Sequence, residues 1–196
     1  DRDWEGDPLE QVVGAYRLLR GSVARRSCGF YGAGEYDLSL LAGKSDDTVE
    51  LGRSCVAAEH RGGAAMLLLW NGLAEYVMKH KIRIMFGVAS FHGTDPDEFS
   101  EALSFLYHHH LAPPELRVRA LARHYVAMDR MPAEDVDEVR AMRTTPALIK
   151  SYIRLGGFVG DGAFVDNGFN TVDVCLIMDT RRMSAKYRDF YTRGAA

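Results

Sequence analysis

Six consecutive residues, His60-Arg61-Gly62-Gly63-Ala64-Ala65, follow a β-patterned segment and open an apolar helical one. Small side chains there let a ligand reach the main chain. The unpaired N–H groups of a helix start, with the helix dipole, favour an anionic group such as phosphate. No Gly-Lys-Ser/Thr follows, so the turn is not a P-loop, and a tight strand-to-helix connection is the plain alternative. The segment leading into the turn carries Glu50, Arg53 and Cys55. Cys55 has no His-Asp relay beside it in sequence, which argues against a covalent nucleophile. His108-His109-His110 invites a metal reading. Neighbouring side chains on a helix diverge by about 100°, however, and no H-E-x-x-H or Cys pair supports the trio. The three imidazoles suit a helix C-terminus instead, and no metal is expected. Arg117, Arg119 and Arg123 fall in a stretch without acids, a patch that can attract an acidic partner but is too small for nucleic acid.

Positioning such groups takes a packed core, and the composition allows one. The chain has 196 residues, 47% hydrophobic and 26% charged, with net charge −3, which excludes disorder and fits one globular domain. Its longest apolar run, residues 64–70, is far short of the ~20 residues of a membrane-spanning helix. Three widely spaced cysteines make neither a disulfide framework nor a zinc site, so a reducing, cytoplasmic setting is expected. Asp1 is not an initiator Met, and the first residues resemble neither a signal nor a transit segment, which reads as a cut or processed start.

Residues 11–20 and 35–41 read as strands, with the glycine-rich GFYGAG of residues 29–34 as a loop between them. Thr48–Val56 reads as a third strand in which Gly52 marks a bulge. A helix of four to five turns follows the glycine turn, and residues 82–89 form a buried strand. Thr94-Asp95-Pro96 is a helix entry, and Pro113-Pro114 a helix stop. Residues 116–145 fit either a strand with a long loop or a surface helix. A helix, a Gly-Gly stop, a strand, an Asn167-Gly168 turn and a last strand complete the chain. The order implies an α/β (α+β) fold, a mixed and mostly antiparallel sheet flanked by helices.

The glycine turn is similar to the Gln/Arg-x-x-Gly-x-Gly/Ala pattern of the GCN5-related N-acyltransferase (GNAT) superfamily. Gly63 and Ala65 occupy its last two fixed positions, His60 stands where Gln or Arg is usual, and Arg61 comes one place late. Tyr152-Ile153-Arg154-Leu155-Gly156-Gly157-Phe158 resembles that superfamily's Tyr-x-x-Leu-Gly-Phe helix end with one added Gly. Longer segments, among them ELGRSCV and SFHGTDP, resemble the bacterial L-ornithine Nα-acyltransferases of ornithine-lipid synthesis over nearly the whole chain. Members of that family usually carry an additional N-terminal portion, so residues 1–196 are expected to form one GNAT-like domain lacking it.

The resemblance implies a (3-hydroxy) fatty acyl group passing from an acyl carrier protein thioester to the α-amine of L-ornithine. No cofactor is expected beyond the donor's own phosphopantetheine. That arm would lie on Cys55, Val56, His60, Arg61, Gly62, Gly63, Ala64 and Ala65, and Tyr152 would protonate the leaving thiolate. Thioester aminolysis needs a neutral amine, whose reference pKa is near ~8. A carboxylate beside it can take the proton, which nominates Glu50 at the head of the strand. Glu50 and Arg53 also resemble the Glu-x-x-Arg of acyl-homoserine-lactone synthases, and an ordinary ion pair is their alternative. Glu35, Asp37 and Asp95 are candidates for the acceptor's side-chain ammonium, Arg53 for its carboxylate, and His92 for a hydrogen bond or proton relay. For Asp95, helix capping is the competing role. Arg117, Arg119 and Arg123 would steer the acidic carrier protein, and peripheral contact with the inner membrane is compatible with a lipid product. A CoA-dependent N-acetyltransferase, a transferase for another amino acid, and a non-catalytic carrier-binding module remain open as alternatives.

Overall fold

The computed structural model describes residues 5–43 and 47–182, so the reading of residues 1–4 lies outside it. A 3-10 turn at Pro8–Gln11, capped by Asp7, precedes β1 (Gly14–Arg20), which therefore starts later than its pattern predicts. One-turn α1 (Gly21–Ala24) follows. The strand expected over residues 35–41 is cut to β2 (Tyr36–Asp37). Asp37 accepts the Ser39 amide at 3.0 Å and turns the chain into one-turn α2 (Ser39–Ala42), a local bond that competes with strand pairing. Then come β3 (Thr48–Val56), α3 (Ala65–Lys79), β4 (Ile84–His92) and α4 (Ser100–His110). Residues 116–145 hold short β5 (Arg119–Ala120) and β6 (Tyr125–Val126), with α5 (Glu138–Thr144) at their end. α6 (Ala147–Arg154), β7 (Phe158–Val159), β8 (Ala163–Asp166) and β9 (Thr171–Asp179) complete the described chain.

The main sheet runs β1-β3-β4-β9-β8-β6, with β7 also on β9, while β2 and β5 form a separate pair. Every strand pairing is antiparallel except β3 with β4. Period-two alternation sorts the side chains onto two faces. Val49, Met85, Ala89, Val174 and Leu176 pack beneath α3, α4 and α6, where Trp70, Leu103, Leu106 and Ile149 join them. Ile84, Phe86, Cys175 and Ile177 pack on the opposite face with Tyr36, Leu41 and Ala120. α3 presents Trp70, Leu73 and Val77 to the first face, the i, i+3, i+7 spacing of a helix stripe.

Two local features open the middle of the sheet. β3 and β4 pair only from Thr48↔Ile84 to Glu50↔Phe86 and then diverge. On the other side of β3, the register against β1 slips between Ala15↔Cys55 and Arg17↔Gly52. Arg53 and Ser54 therefore oppose the single residue Tyr16, and Arg53 takes φ 54°. This is the bulge that Gly52 signals. Gly87 lets β4 stay close at the point of divergence, because a Cβ there would meet the Leu51 carbonyl oxygen at 2.3 Å. Gly87→Ala should therefore cost about 2 kcal/mol of stability, in the range of core overpacking. Chemical denaturation against the wild type checks it.

The Gly-Gly after α6 divides two tasks. Gly156 takes φ 90° to end the helix, and Gly157 packs where a Cβ would come 2.8 Å from the Tyr152 carbonyl oxygen. The Asn167-Gly168 hairpin is present with a different turn. Asp166 opposes Thr171, the loop spans residues 167–170, and the positive φ falls on Asn170. Asp166 Oδ1 accepts the Gly168 and Phe169 amides, which stabilises this longer loop.

Candidate functional site

Where β3 and β4 diverge, the sheet is flanked by a cavity on each face. One, of about 390 Å³, lies on the α3 and α6 side and is lined by Tyr16, Ser54, Phe86, Leu148, Tyr152 and Leu176. The other, of about 280 Å³, lies on the opposite face and is lined by Arg17, Tyr31, Glu35, Glu50, Asp166, Phe169, Thr171 and Asp173. Leu51, Gly52, Arg53, Val88, Ser90 and His92 line both. The two spaces thus share one wall, made of the stretches of β3 and β4 that no longer pair with each other.

On the α3 side, the sequence-predicted turn ends in a helix start that no side chain caps. Gly62 takes φ 79°, residues 61–64 are exposed, and Ala65 is half-buried. Arg61 folds back so that its Nε donates to the Val56 carbonyl (3.0 Å), while His60 ends an exposed 3-10 turn. Val56 is buried, and Cys55 is exposed on the strand opposite Ala15, outside both cavities. The Tyr152 hydroxyl lies 2.7 Å from that of Tyr16, and its ring packs 4.9 Å from Trp70. Burial raises the Tyr16 pKa, and the bond to Tyr152 partly offsets the rise. Ser54 Oγ is buried without a partner at the bulge.

Charges of both signs line the second cavity. Arg17 and Arg53 both lie over the Tyr31 ring, at 5.0 and 5.1 Å from its centroid. Arg53 Nη2 donates to the Tyr31 hydroxyl (3.0 Å), and its guanidinium also faces the Phe169 ring. Glu35, Asp166 and Asp173 each offer a carboxylate oxygen within 4.8 Å of the others. Burial, reinforced by Asp173, Asp166 and Glu50, pushes the Glu35 carboxyl up to about 7, with Arg123 opposing. Burial raises Asp173 as well, offset by the Ser90 and Thr171 hydroxyls.

Glu50 has a different part from the one its position suggests. It is 2% exposed, and its two oxygens accept the Tyr31 amide (2.8 Å) and the Gly32 amide (2.6 Å). The carboxylate clasps the GFYGAG segment against β3, and thereby sets Tyr31 and Glu35 at the cavity. His92, at the end of β4, is the titratable side chain on the shared wall besides Arg53.

Several sequence-predicted residues fall elsewhere. Asp37 is exposed on its Ser39 amide, which lowers its pKa. Asp95 caps the 3-10 turn at Pro96–Phe99 by accepting the Asp97 amide (2.9 Å). Arg117 Nε donates to the Ala112 carbonyl, Arg119 pairs with Asp161, and Arg123 donates to the Gly34 carbonyl over the Phe164 ring. Arg119 and Arg123 remain exposed and Arg117 is half-buried, and Arg123 also acts on Glu35 of the acidic cavity. His108 Nε2 meets the Met131 carbonyl, His109 faces Glu138, and His110 lies by Phe105.

Arg17, Tyr31, Ser54, Asp166 and Asp173 are site residues that sequence reasoning missed. Asp173 had a signal: it is an acid between Val172 and Val174 in β9, whose nine residues are all buried, and unlike Asp179 at the strand's end it has no arginine two residues away. Such an acid requires a special reason to stay. Asp166 looks like an ordinary turn residue in sequence, and Arg17 like a surface charge on an edge strand.

Among known proteins, the acetyltransferase (GNAT) domain profile matches residues 4–71. An L-ornithine N(alpha)-acyltransferase of Rhodobacter capsulatus is 56% identical over 187 residues, covering 95% of this chain and 71% of the relative. Proteins of the same name from Brucella abortus and Rhizobium meliloti are each 44% identical, with 66% and 67% of their lengths covered. The chain thus spans about two thirds of these relatives. Two structures of a CoA-dependent acyl-homoserine lactone synthase, BjaI, align over 92% of this chain at 11% and 14% identity, with TM-scores of 0.41 and 0.44.

Proposed function

Because the chain belongs to the L-ornithine N(alpha)-acyltransferase family and carries its GNAT fold, we propose that it transfers a fatty acyl group, 3-hydroxylated in the natural donor, from a carrier-protein thioester to the α-amine of L-ornithine. The observation that carries this reading is the pair of cavities meeting through the open wall between β3 and β4.

The donor enters on the α3 face. Its phosphopantetheine phosphate takes the uncapped amides at Gly62, Gly63, Ala64 and Ala65, where the helix dipole favours an anion. The arm runs along the strand end to the 390 Å³ cavity and places the thioester carbon at the divergence. β3 amides released from pairing with β4, with the Ser54 hydroxyl beside them, face the carbonyl oxygen and stabilise the charge that develops there. The fatty chain has an apolar recess of about 510 Å³ on the same face, walled by Trp70, Leu73, Val77 and Met85.

Ornithine enters on the other face, its α-carboxylate between Arg17 and Arg53. The α-amine then lies at the shared wall beside Ser90 and His92. As its nitrogen attacks the carbonyl carbon, His92 takes the amine proton. The C–N bond forms, the C–S bond breaks, and the departing thiolate receives a proton from Tyr152, to which Tyr16 is hydrogen-bonded. The product is a lyso-ornithine lipid. Met66, Leu67 and Leu68, exposed on the first turns of α3, offer an apolar surface for peripheral membrane contact at the donor side. Among the described residues, no helix is long and apolar enough to cross a membrane.

Incubating the full-length protein with 3-hydroxyacyl carrier thioester and L-ornithine should yield N-acylornithine by mass spectrometry. Acetyl-CoA should be a poor donor. Fast acetylation with no long-chain product would favour a CoA-dependent acetyltransferase, and carrier binding without any product would favour a non-catalytic module.

A further inference from the structure

We infer that Glu35, Asp166 and Asp173 form a subsite for the side-chain ammonium of the acceptor, and that this subsite selects a diamino acid over an apolar one. The inference rests on the acyl-transfer reading above and concerns the end of the acceptor that does not react.

The three residues come from separate elements. Glu35 follows the GFYGAG segment, Asp166 ends β8 and Asp173 lies in β9 opposite Ser90. One oxygen of each lies within 4.8 Å of the others, around the same cavity that Arg17 and Arg53 flank. Proximity of acids alone would mean little. Here Asp173 is 4% exposed and its Oδ1 has no hydrogen-bond partner, although it faces the cavity. Glu35 Oε2 is buried without a partner too, whereas the Ser90 and Thr171 hydroxyls beside Asp173 already bear on its carboxylate. Buried acceptors are ordinarily satisfied, so Asp173 Oδ1 and Glu35 Oε2 are placed to accept from a donor outside the chain.

The chemistry of that donor follows from the count and the charges. An alkylammonium has three N–H donors and no acceptor, and three carboxylates converge here. The groups facing Glu35 are acidic, namely Asp173, Asp166 and Glu50, with the single guanidinium of Arg123 opposing them. Arg123 is itself held on the Gly34 carbonyl. A bound cation removes the repulsion among the acids. Arg17 and Arg53 share the cavity lining with the acidic trio, so the cavity carries both signs of charge, which complements an amino acid bearing a second amine.

L-Norvaline, which is ornithine without its side-chain amine, separates this subsite from the reacting end. Full-length wild-type protein, Asp173→Asn and Glu35→Gln would be offered ornithine and norvaline with the acyl thioester. We expect the ornithine-to-norvaline ratio of kcat/KM to fall about 30-fold in each variant, mainly through the KM for ornithine. Melting temperature without substrate should not fall, since each change removes a crowded charge. In the wild type, ornithine affinity should drop toward about tenfold per pH unit below 7, as Glu35 must first lose its proton, and Glu35→Gln should flatten that slope. An unchanged ratio would overturn the inference. So would an equal loss of kcat for both substrates, which would put Glu35 on the reacting amine, and so would ornithine acylation that depends on added Mg²⁺ or Ca²⁺ bound at the trio. A wild type that acylates ornithine and norvaline equally overturns the subsite alone, whereas one that acylates neither overturns the acyl-transfer reading with it.

Discussion

Glu50→Gln should lower the melting temperature by about 6–12 °C and cut turnover with it. Two backbone amides, those of Tyr31 and Gly32, end on the Glu50 carboxylate at 2.8 and 2.6 Å inside a site only 2% exposed. A glutamine keeps one acceptor and turns an NH2 toward the other amide, so one buried donor loses its partner and meets a second donor. Charge-assisted bonds of this kind contribute about 1.5–3 kcal/mol each, and an orphaned buried group costs a further ~1–3 kcal/mol. A net loss of about 3 kcal/mol gives the stated shift for a chain of this size. Thermal melts followed by circular dichroism measure it. If the variant melts like the wild type yet turns over slowly, the clasp is wrong and Glu50 acts on the substrate.

His92→Ala should leave the fold intact and reduce kcat by about 10²–10³-fold, the usual contribution of a positioned base. His92 is exposed at the end of β4 and no described hydrogen bond depends on it, so its loss has little structural cost. Its place on the wall common to both cavities puts it where the proposed reaction brings amine and thioester together. Added imidazole should restore part of the rate, because the truncated side chain leaves room for it. A variant with wild-type kcat would remove His92 from the reaction. Glu35, on the acceptor cavity but not on the shared wall, would then be the next base to test.

The pieces near the helix start were readable because they are local. A β-patterned run, a glycine turn and an apolar helix follow each other in sequence, and Thr48–Val56 and the α3 region fold as their patterns require. Gly52 announced the bulge, and Asp95-Pro96 the helix entry. The role of Glu50 was not readable, because it depends on amides 18 and 19 residues upstream that only the folded loop brings over β3. The short β2 had a local cause, the Asp37 bond to the Ser39 amide, which a strand pattern over residues 35–41 conceals. The acidic trio was illegible for a topological reason. Placing β9 beside β4, and β8 beside β9, brings Asp173 and Asp166 to an acid more than 130 residues earlier in the chain. The arginines at 117, 119 and 123 each hold a partner that their spacing does not announce, the Ala112 carbonyl, Asp161 and the Gly34 carbonyl.

In the proposed reaction, the breach between β3 and β4 gives the two reactants separate doors. A bulky carrier can rest against the helices while a small amino acid comes and goes beneath the sheet, and neither must depart before the other arrives. Both are then held together at the instant of exchange, so the acyl group never has to be parked on the polypeptide. Cys55, facing outward on the far side of its strand, is left with no passenger to carry.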